Sequence, residues 1–235
     1  MVKKAKQTQE TNGSFMAQRR QILNKNSDFI VQEAYKSLRT NVRFFLHNYE
    51  CKKLCITSAT AGEGKSITML NLAISIAQSG QKVILIDADL RRPAMARLLV
   101  EKAAPGLSNV LAGLSTIQES IRTEVYPNLD ILFSGDVPPN PSEILGSAEM
   151  EKLITDLSKR YDYVLVDTPP VGVVSDASLV ASLVDGVLLL VRQNRTKKDE
   201  VRRAVNNLQL TGARILGYIL NGVVPEHGDS YGYYY

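Results

Sequence analysis

The chain has 235 residues, of which 44% are hydrophobic and 22% are charged, as in an ordinary globular domain with an apolar core. Two cysteines are too few for a disulfide framework, and a net charge of +4 is too small to indicate nucleic-acid binding by itself. The apolar runs are shorter than the roughly 18 residues that a membrane-spanning helix requires, so we expect a cytoplasmic protein.

The first 27 residues are polar, rich in lysine and arginine, and lack any periodic pattern. They predict a flexible basic arm, residues 1–27. A solvated arm is the simpler interpretation, and contact with anionic lipid or nucleic acid is the alternative. We expect no nucleic-acid partner.

From residue 28 to about residue 47 the pattern becomes helical, and Asp28 is a suitable N-cap. Apolar residues recur every four positions along one predicted face, at Ile30, Ala34, Leu38 and Val42.

An alternation of strands and helices follows. Further helices are predicted at 66–78, 148–159 and 198–208, and strands at 53–57, 83–86, 129–133, 163–166, 186–191 and 215–220. The strands are continuously apolar, which indicates a mostly parallel sheet covered on both faces. The predicted fold is therefore an α/β doubly wound sheet with right-handed crossovers, formed by residues 28–225, and residues 226–235 form a tail without a core pattern.

The segment from Ser58 to Ser66 lies between a predicted strand and a predicted helix, as a phosphate-binding loop requires. Its glycines let backbone N–H groups surround phosphates, and the helix N-terminus adds a positive dipole. Lys65 would bridge the β- and γ-phosphates, and the Ser66 hydroxyl would bind Mg²⁺. Ala59 replaces the first glycine of the usual pattern, and a glycine-rich turn without a ligand is the alternative.

Carboxylates follow two of the buried strands. Asp87 and Asp89 are two positions apart, and on an extended strand both would face one cavity. One would serve the metal and the other would accept a proton from an attacking hydroxyl, and the sequence leaves open which does which. Asp167 ends the other apolar strand, residues 163–166, in the Walker B arrangement, which holds Mg²⁺. A pair of surface acids beside Arg91 or Arg92 is the alternative for Asp87 and Asp89.

Three segments together closely resemble the bacterial tyrosine kinases (BY-kinases), which govern capsular and extracellular polysaccharide synthesis. These segments are Ala61 to Ser66, Leu85 to Pro93 and Val166 to Pro170. The resemblance implies a P-loop NTPase fold of the deviant Walker A group and an ATP- and Mg²⁺-dependent tyrosine kinase. The chain is similar to the free-standing cytoplasmic form of these kinases, which works with a separate transmembrane activator.

The resemblance also implies roles for individual residues. Catalysis would involve Lys65, Asp87, Asp89 and Asp167, and the metal would be bound by Ser66, Asp87 and Asp167. The nucleotide would contact Gly62, Glu63, Gly64, Lys65, Ser66, Ile67 and, at the adenine, Asn221. The oligomerisation motif of the family corresponds to Glu33, Lys36 and Arg39, where Lys36 replaces an arginine and loses its bidentate fork. A local helix pair between Glu33 and Lys36 and a loop-capping role for Asn221 are the alternatives.

The last five residues contain four tyrosines, and a tail without a core pattern gives them nowhere to be buried. The cluster resembles the autophosphorylation site of the family, which makes these tyrosines the phosphoacceptors: Tyr231, Tyr233, Tyr234 and Tyr235. Each phosphate adds about −1.5 to −2 charges, so a phosphorylated tail would be repelled by the carboxylates of the site. An aromatic tail that only docks a partner is the alternative.

By the same resemblance the chain forms a homo-oligomer, a ring in that family, and lies at the inner face of the membrane through its activator. A cognate tyrosine phosphatase and protein substrates in polysaccharide synthesis are the other implied partners. Two other functions fit the same fold, a partitioning or division-site ATPase and a nucleotide-binding scaffold. Such ATPases carry a lysine where this chain has Thr60, which argues against the first.

Overall fold

The structure, a computed structural model, describes residues 17–223. Most of the predicted N-terminal arm and the tyrosine tail lie outside the described residues. The strands within this range are β1 Lys52–Ser58, β2 Val83–Asp87, β3 Ile121–Tyr126, β4 Leu129–Leu132, β5 Tyr163–Asp167, β6 Gly186–Arg192 and β7 Ile215–Asn221. They form a seven-stranded sheet in the order β3-β4-β2-β5-β1-β6-β7, parallel except for the β3–β4 pair.

The helices connect these strands and cover both faces of the sheet. In chain order they are α1 Phe29–Phe45, α2 Lys65–Ala77, α3 Met95–Leu99, α4 Leu107–Leu111, α5 Ile117–Ser120, α6 Pro141–Leu145, α7 Ala148–Ser158, α8 Asp176–Ala181 and α9 Lys198–Leu210. Helices α1 to α3 contribute to the apolar core on one face, and α4 and α6 to α9 to the core on the other. The predicted doubly wound, mostly parallel fold is confirmed.

Strand alternation divides the central strands between the two cores. In β2, Leu85 faces the α2 side and Ile86 the opposite side, and in β5 the same holds for Leu165 and Val166. Every residue of β2 and β5 is buried, which explains why the sequence of these strands is apolar without interruption. Position 87, two residues after Leu85, therefore belongs to the face that α2 covers, and so does position 167.

The six predicted strands and four predicted helices are present, with ends that differ from the predicted ones by at most two residues. Strand β3 and the short helices were not predicted. Strand β3 is an antiparallel edge strand with an irregular register, and Glu124 has a positive φ of 52°. Only Ile121 of this strand is buried and burial does not alternate along it, so there is no hydrophobic period to detect.

The buried face of α1 differs from the predicted one. Ile30 is 56% exposed and Ala34 is also exposed, whereas Val42 is buried and Leu38 partly buried. The helix instead packs through Tyr35, Leu38, Val42 and Leu46. A spacing of four residues drifts by about 40° per step around a helix of 3.6 residues per turn, so the predicted set could not stay on one face. Asp28 occupies the N-cap position, but its side chain makes no capping hydrogen bond.

None of the helices within residues 17–223 combines the length and the apolarity that crossing a bilayer requires.

Candidate nucleotide-binding site

The glycine-rich loop joins β1 to α2 and ends at Gly64, the N-cap of α2. Gly62 and Gly64 have φ angles of 75° and 100°, which a residue with a Cβ adopts only with strain. A Cβ at Gly64 would also lie 2.5 Å from Nδ2 of Asn221. Ala59 is not among the residues with positive φ, so the first position of the loop does not require glycine. The substitution that departs from the usual pattern is therefore compatible with the loop.

Side chains from β6, β7 and the segment between β6 and α9 hold the backbone carbonyls of the loop. Arg195 donates to the carbonyls of Gly62 and Ala61 at 3.0 and 3.3 Å, and Asn221 donates to the carbonyl of Glu63 at 2.8 Å. In a trans peptide the N–H points opposite to the carbonyl. The N–H groups that follow these carbonyls consequently lie on the other side of the loop, where a phosphate would bind.

Glu63 is buried within the loop itself. Its Oε1 atom accepts hydrogen bonds from the Thr60 hydroxyl at 2.9 Å and from the Thr196 hydroxyl, while Oε2 has no hydrogen-bond partner among the described residues. Thr60 therefore has a role inside the loop, at the position where partitioning ATPases carry lysine. The contact between Glu63 and a nucleotide stays a prediction.

The carboxylates of Asp87 and Asp167 end adjacent parallel strands and are direct partners in the β2–β5 register. Both residues are fully buried, on the face of the sheet that α2 covers. The Lys65 ammonium and the Ser66 hydroxyl at the start of α2 act on the same Asp167 carboxyl. The fold thus brings together four residues from three segments that are far apart in sequence.

Asp87 and Asp89 lie close together, but for a different reason from the predicted one. Strand β2 ends at Asp87, and the chain then turns so that the Asp89 N–H donates to Oδ1 of Asp87 at 3.2 Å. The Met95 N–H donates to the other Asp87 oxygen at 3.3 Å, and the Arg92 N–H donates to Oδ1 of Asp89 at 2.9 Å. A turn, and not strand alternation, therefore places Asp89.

The positive charge of Lys65 does not offset the cost of burying the carboxylates in this cluster. Burial raises the pKa of Asp167 to about 7, although Lys65 and Ser66 lower it, and neither carboxylate oxygen has a hydrogen-bond partner of normal geometry among the described residues. Burial and the neighbouring Asp167 and Asp89 raise the pKa of Asp87 well above its ordinary value. A buried carboxylate without a partner is unfavourable unless a cation or a hydrogen-bond donor reaches it. Asp167 therefore fits a divalent cation.

Residues 17–223 contain no cluster of three acidic, histidine or cysteine side chains arranged to hold a metal by themselves. Mg²⁺ commonly keeps several waters and takes the rest of its ligands from one or two protein oxygens and from phosphates. Asp167 and Ser66 satisfy that pattern. The predicted direct ligation by Asp87 stays a prediction.

A cavity of about 490 Å³ adjoins the loop and includes Lys65, Ser66, Ile67 and Asp89 in its lining. Asp87, Asp167, Glu63 and Asn221 are not part of the lining. Asn221 binds the loop backbone through its amide, and its predicted contact with adenine is untested. The structure shows that the Asn221 side chain holds the loop backbone, which is close to the loop-capping role given as the alternative.

The three residues of the predicted oligomerisation motif make contacts within the chain. Lys36 forms a 2.7 Å salt bridge with Glu33, which is the local helix pair. Arg39 donates to the Ser75 carbonyl of α2 at 2.6 Å. Their role in oligomerisation stays a prediction.

An ion-pair network that the sequence did not reveal fixes the segment after β2. Arg91 donates from Nε and from a terminal nitrogen to the two oxygens of the buried Asp176, at 2.7 and 3.0 Å, and Ser142 also donates to Asp176 at 2.7 Å. The network joins the turn that carries Asp89 to α6 and α8. Its partners are 85 and 51 positions from Arg91, so no local pattern could identify them.

Replacing Arg91 with alanine is expected to lower the unfolding free energy by about 2 kcal/mol at pH 7, since a buried carboxylate loses its bidentate partner, which is itself partly exposed. Burial alone would raise the pKa of Asp176, but Arg91 and Ser142 lower it below 3.8. The stabilisation is therefore present above that value and is lost as the pH falls through the folded-state pKa. Urea denaturation at pH 7 and pH 3 should show the difference between wild type and variant shrinking at low pH. Arg202→Ala is the control, because it removes an exposed ion pair on α9. An equal difference in unfolding free energy between wild type and Arg91→Ala at both pH values would contradict the prediction.

A glycine loop between strand and helix, a buried acid on the adjacent strand and a parallel doubly wound sheet define a P-loop nucleoside triphosphatase. A family model described as an AAA domain matches residues 51–213. Tyrosine-protein kinase YwqD of Bacillus subtilis is 39% identical over 202 residues, covering 86% of this chain and 85% of YwqD. The kinase domain of Escherichia coli tyrosine kinase ETK has a TM-score of 0.81 and 40% identity, covering 87% of this chain and 80% of that domain. The chain belongs to the bacterial tyrosine kinase family, and its enzyme class is protein-tyrosine kinase.

The alternative of a division-site ATPase is a more distant match. The septum site-determining protein MinD of Pyrococcus horikoshii, solved with Mg-ADP, has a TM-score of 0.62 and 25% identity, covering 72% of this chain and 70% of that one. The two proteins share the fold, and the kinase relatives share more of both chains and of the sequence.

Proposed function

We propose that the chain binds Mg·ATP at the glycine loop and transfers the γ-phosphoryl group to tyrosines of the C-terminal cluster, residues 231–235, of another copy. The proposal is supported above all by the buried Asp167 carboxylate beside the start of α2, directly opposite Asp87, whose two oxygens have no hydrogen-bond partner of normal geometry within residues 17–223. In this arrangement Lys65 would bind the β- and γ-phosphates, and Ser66 with Asp167 would hold Mg²⁺. Bound magnesium would neutralise charge on the phosphates.

The chemical step needs an acceptor hydroxyl in line with the γ-phosphorus and a group to take its proton. As the new bond forms between the tyrosine oxygen and phosphorus, the bond from phosphorus to the oxygen of ADP breaks, and the phenolic proton passes to a carboxylate. We assign this base to Asp89, which lines the cavity, in preference to the buried Asp87. Oδ1 of Asp89 is occupied by the Arg92 N–H, which leaves Oδ2 for the proton.

Partners follow from the family resemblance and from the exposed surface of α1. Phe29 and Phe44 are 59% and 71% exposed on this helix, and apolar side chains of this size favour contact with another chain. The proposal therefore includes self-association, a transmembrane activator that brings the chain to the inner face of the membrane, a cognate tyrosine phosphatase, and control of capsular or extracellular polysaccharide synthesis and export.

Incubation of the full-length protein with γ-labelled ATP and Mg²⁺ tests this function. We expect label on the C-terminal peptide, and a full-length variant with phenylalanine at Tyr231, Tyr233, Tyr234 and Tyr235 should bind a fluorescent ADP analogue normally but lose the label. Transfer in trans is tested by mixing that variant with a Lys65→Met chain of different tag size, which should become labelled. Released phosphate without labelled protein would support the ATPase, nucleotide binding without either product the scaffold, and label that persists in the phenylalanine variant would place the acceptor elsewhere.

A further inference from the structure

Beyond the predicted phosphate site, two segments of different chemistry contribute to the lining of the cavity beside the glycine loop, and each is called a wall here. One wall is apolar and includes Pro169, Pro170 and Val173, of which Val173 is 65% exposed. The other carries three arginines, Arg91, Arg92 and Arg97. An apolar surface and a basic rim in one cavity suit a ligand that is both aromatic and acidic.

The three arginines are not equivalent. Arg91 is bound to Asp176, and Arg97 donates to the Pro93 carbonyl. The Arg92 guanidinium is exposed, and its side chain has no hydrogen bond or ion pair among the described residues. Its main chain is nevertheless held beside Asp89, because the backbone N–H of Arg92 donates to Oδ1 of Asp89. A rim guanidinium thus lies three positions from the carboxylate that we propose as the base, and it is free to pair with an incoming carboxylate.

The apolar wall suits the ring of a tyrosine acceptor. A tyrosine has an apolar body and a polar tip, so a ring that packs against Pro169, Pro170 and Val173 would direct its hydroxyl towards Asp89 in the same cavity. In an extended peptide the side chains two positions apart lie on the same face, roughly 7 Å apart along the chain. The residue two positions before the tyrosine would then lie over the same cavity, within reach of a rim arginine.

We propose that Arg92 selects acceptor peptides with an acidic residue two positions before the tyrosine, which deepens the proposed kinase function and rests on it. The sequence of this chain supplies such a peptide, since Asp229 precedes Tyr231 by two positions. Glu226, five positions before the tyrosine, lies outside this spacing. Arg92 is a specificity-determining residue for the peptide, and the nucleotide is bound without it.

The test uses a peptide of residues 225–235 in which Tyr233, Tyr234 and Tyr235 are phenylalanine, so that Tyr231 is the acceptor. The enzyme is the full-length variant whose four tail tyrosines are phenylalanine, at saturating Mg·ATP. We expect Asp229→Asn in the peptide to lower kcat/KM about threefold, the effect of an exposed charge pair, and Glu226→Gln to change it less than about 1.5-fold, since that residue has no partner in this scheme. The Arg92→Ala enzyme should phosphorylate the Asp229→Asn peptide and the peptide that retains Asp229 equally well, whereas Arg202→Ala should keep the preference.

A charge exchange sharpens the test. The Arg92→Asp enzyme should prefer a peptide with Asp229→Arg over the unchanged peptide, and the KM for ATP should stay within about twofold of the starting value, as for a rim charge that does not touch the nucleotide. A raised KM for ATP with an unchanged peptide preference would assign Arg92 to the phosphates and overturn the proposal. A preference that survives Arg92→Ala would do the same.

Binding measurements keep this inference separate from the kinase function itself. If no peptide is phosphorylated, the proposed function fails, but the same peptides carrying fluorescein report their dissociation constants by anisotropy in the presence of Mg·ADP. The Asp229→Asn peptide should then bind about threefold more weakly than the unchanged peptide to the enzyme that retains Arg92, and equally well to Arg92→Ala. Equal binding of both peptides to the enzyme that retains Arg92 would overturn the inference whatever the kinase assay shows.

Discussion

Lys65→Met is expected to lower tyrosine labelling by a factor on the order of 1,000, because transition-state charge on the transferring phosphoryl group loses its cationic partner. Lys65 is only 7% exposed and begins α2, and its charge acts on Asp167, so it lies at the centre of the cluster. Methionine has a similar length and apolar stem, so we expect a cooperative unfolding transition and an unchanged far-ultraviolet circular dichroism spectrum.

The matched control for this change is Lys159→Met, whose side chain is 67% exposed and pairs with Asp156 on the opposite side of the sheet from α2. That variant should label at the wild-type rate. Labelling of the Lys65→Met chain by itself at more than about a tenth of the wild-type rate would show that the buried lysine does not serve the transition state, since even one lost stabilising donor typically reduces the rate 100-fold or more. The site assignment would then be wrong.

Asp167→Asn is expected to have opposite effects on stability and activity. Without ligand the variant should unfold with a free energy about 1 kcal/mol higher than wild type at pH 8, because a neutral amide replaces a buried carboxylate that accepts no hydrogen bond of normal geometry from the described part of the chain. The raised pKa of about 7 gives the sign. Stability is lost as the pH rises through that value, so the gain should be greater at pH 8 than at pH 5.

The same variant should lose activity by a factor on the order of 1,000, because the metal position loses its buried oxygen ligand. Calorimetric unfolding with and without Mg·ADP measures both effects, and the stabilisation by Mg·ADP should disappear in the variant. The exposed Asp199→Asn serves as the control. A less stable variant that is still stabilised by Mg·ADP would show that Asp167 holds the fold and not the metal.

The sequence predicted the parts of the fold whose pattern is local. Strands β2 and β5 are buried on both faces, so their apolar runs are continuous and their ends are marked by Asp87 and Asp167. The glycine loop could also be predicted from the sequence, because the positive φ angles at positions 62 and 64 favour glycine and the sequence has glycine at both.

The parts that escaped prediction depend on contacts between distant positions. Arg91 and Asp176, or Glu63 and Thr196, become neighbours only after the sheet has formed. The prediction of the buried face of α1 was wrong for a different reason. Several apolar residues of that helix are exposed, Phe44 at 71%, so hydrophobicity alone did not distinguish the side that packs on α2.

Strand β7 forms one edge of the sheet, and its last residue, Asn221, donates to the carbonyl of Glu63. A hydrogen bond restrains both of its partners, so any shift of the loop backbone when phosphates arrive is also felt two residues before the described chain ends at Val223. In the proposed function, the acceptor tyrosines, residues 231–235, follow this strand in the sequence, and the loop is the site of ATP. Under that proposal, the binding of ATP at the loop would be coupled, through the hydrogen bond between Asn221 and Glu63, to the point from which the chain continues towards the acceptor tyrosines.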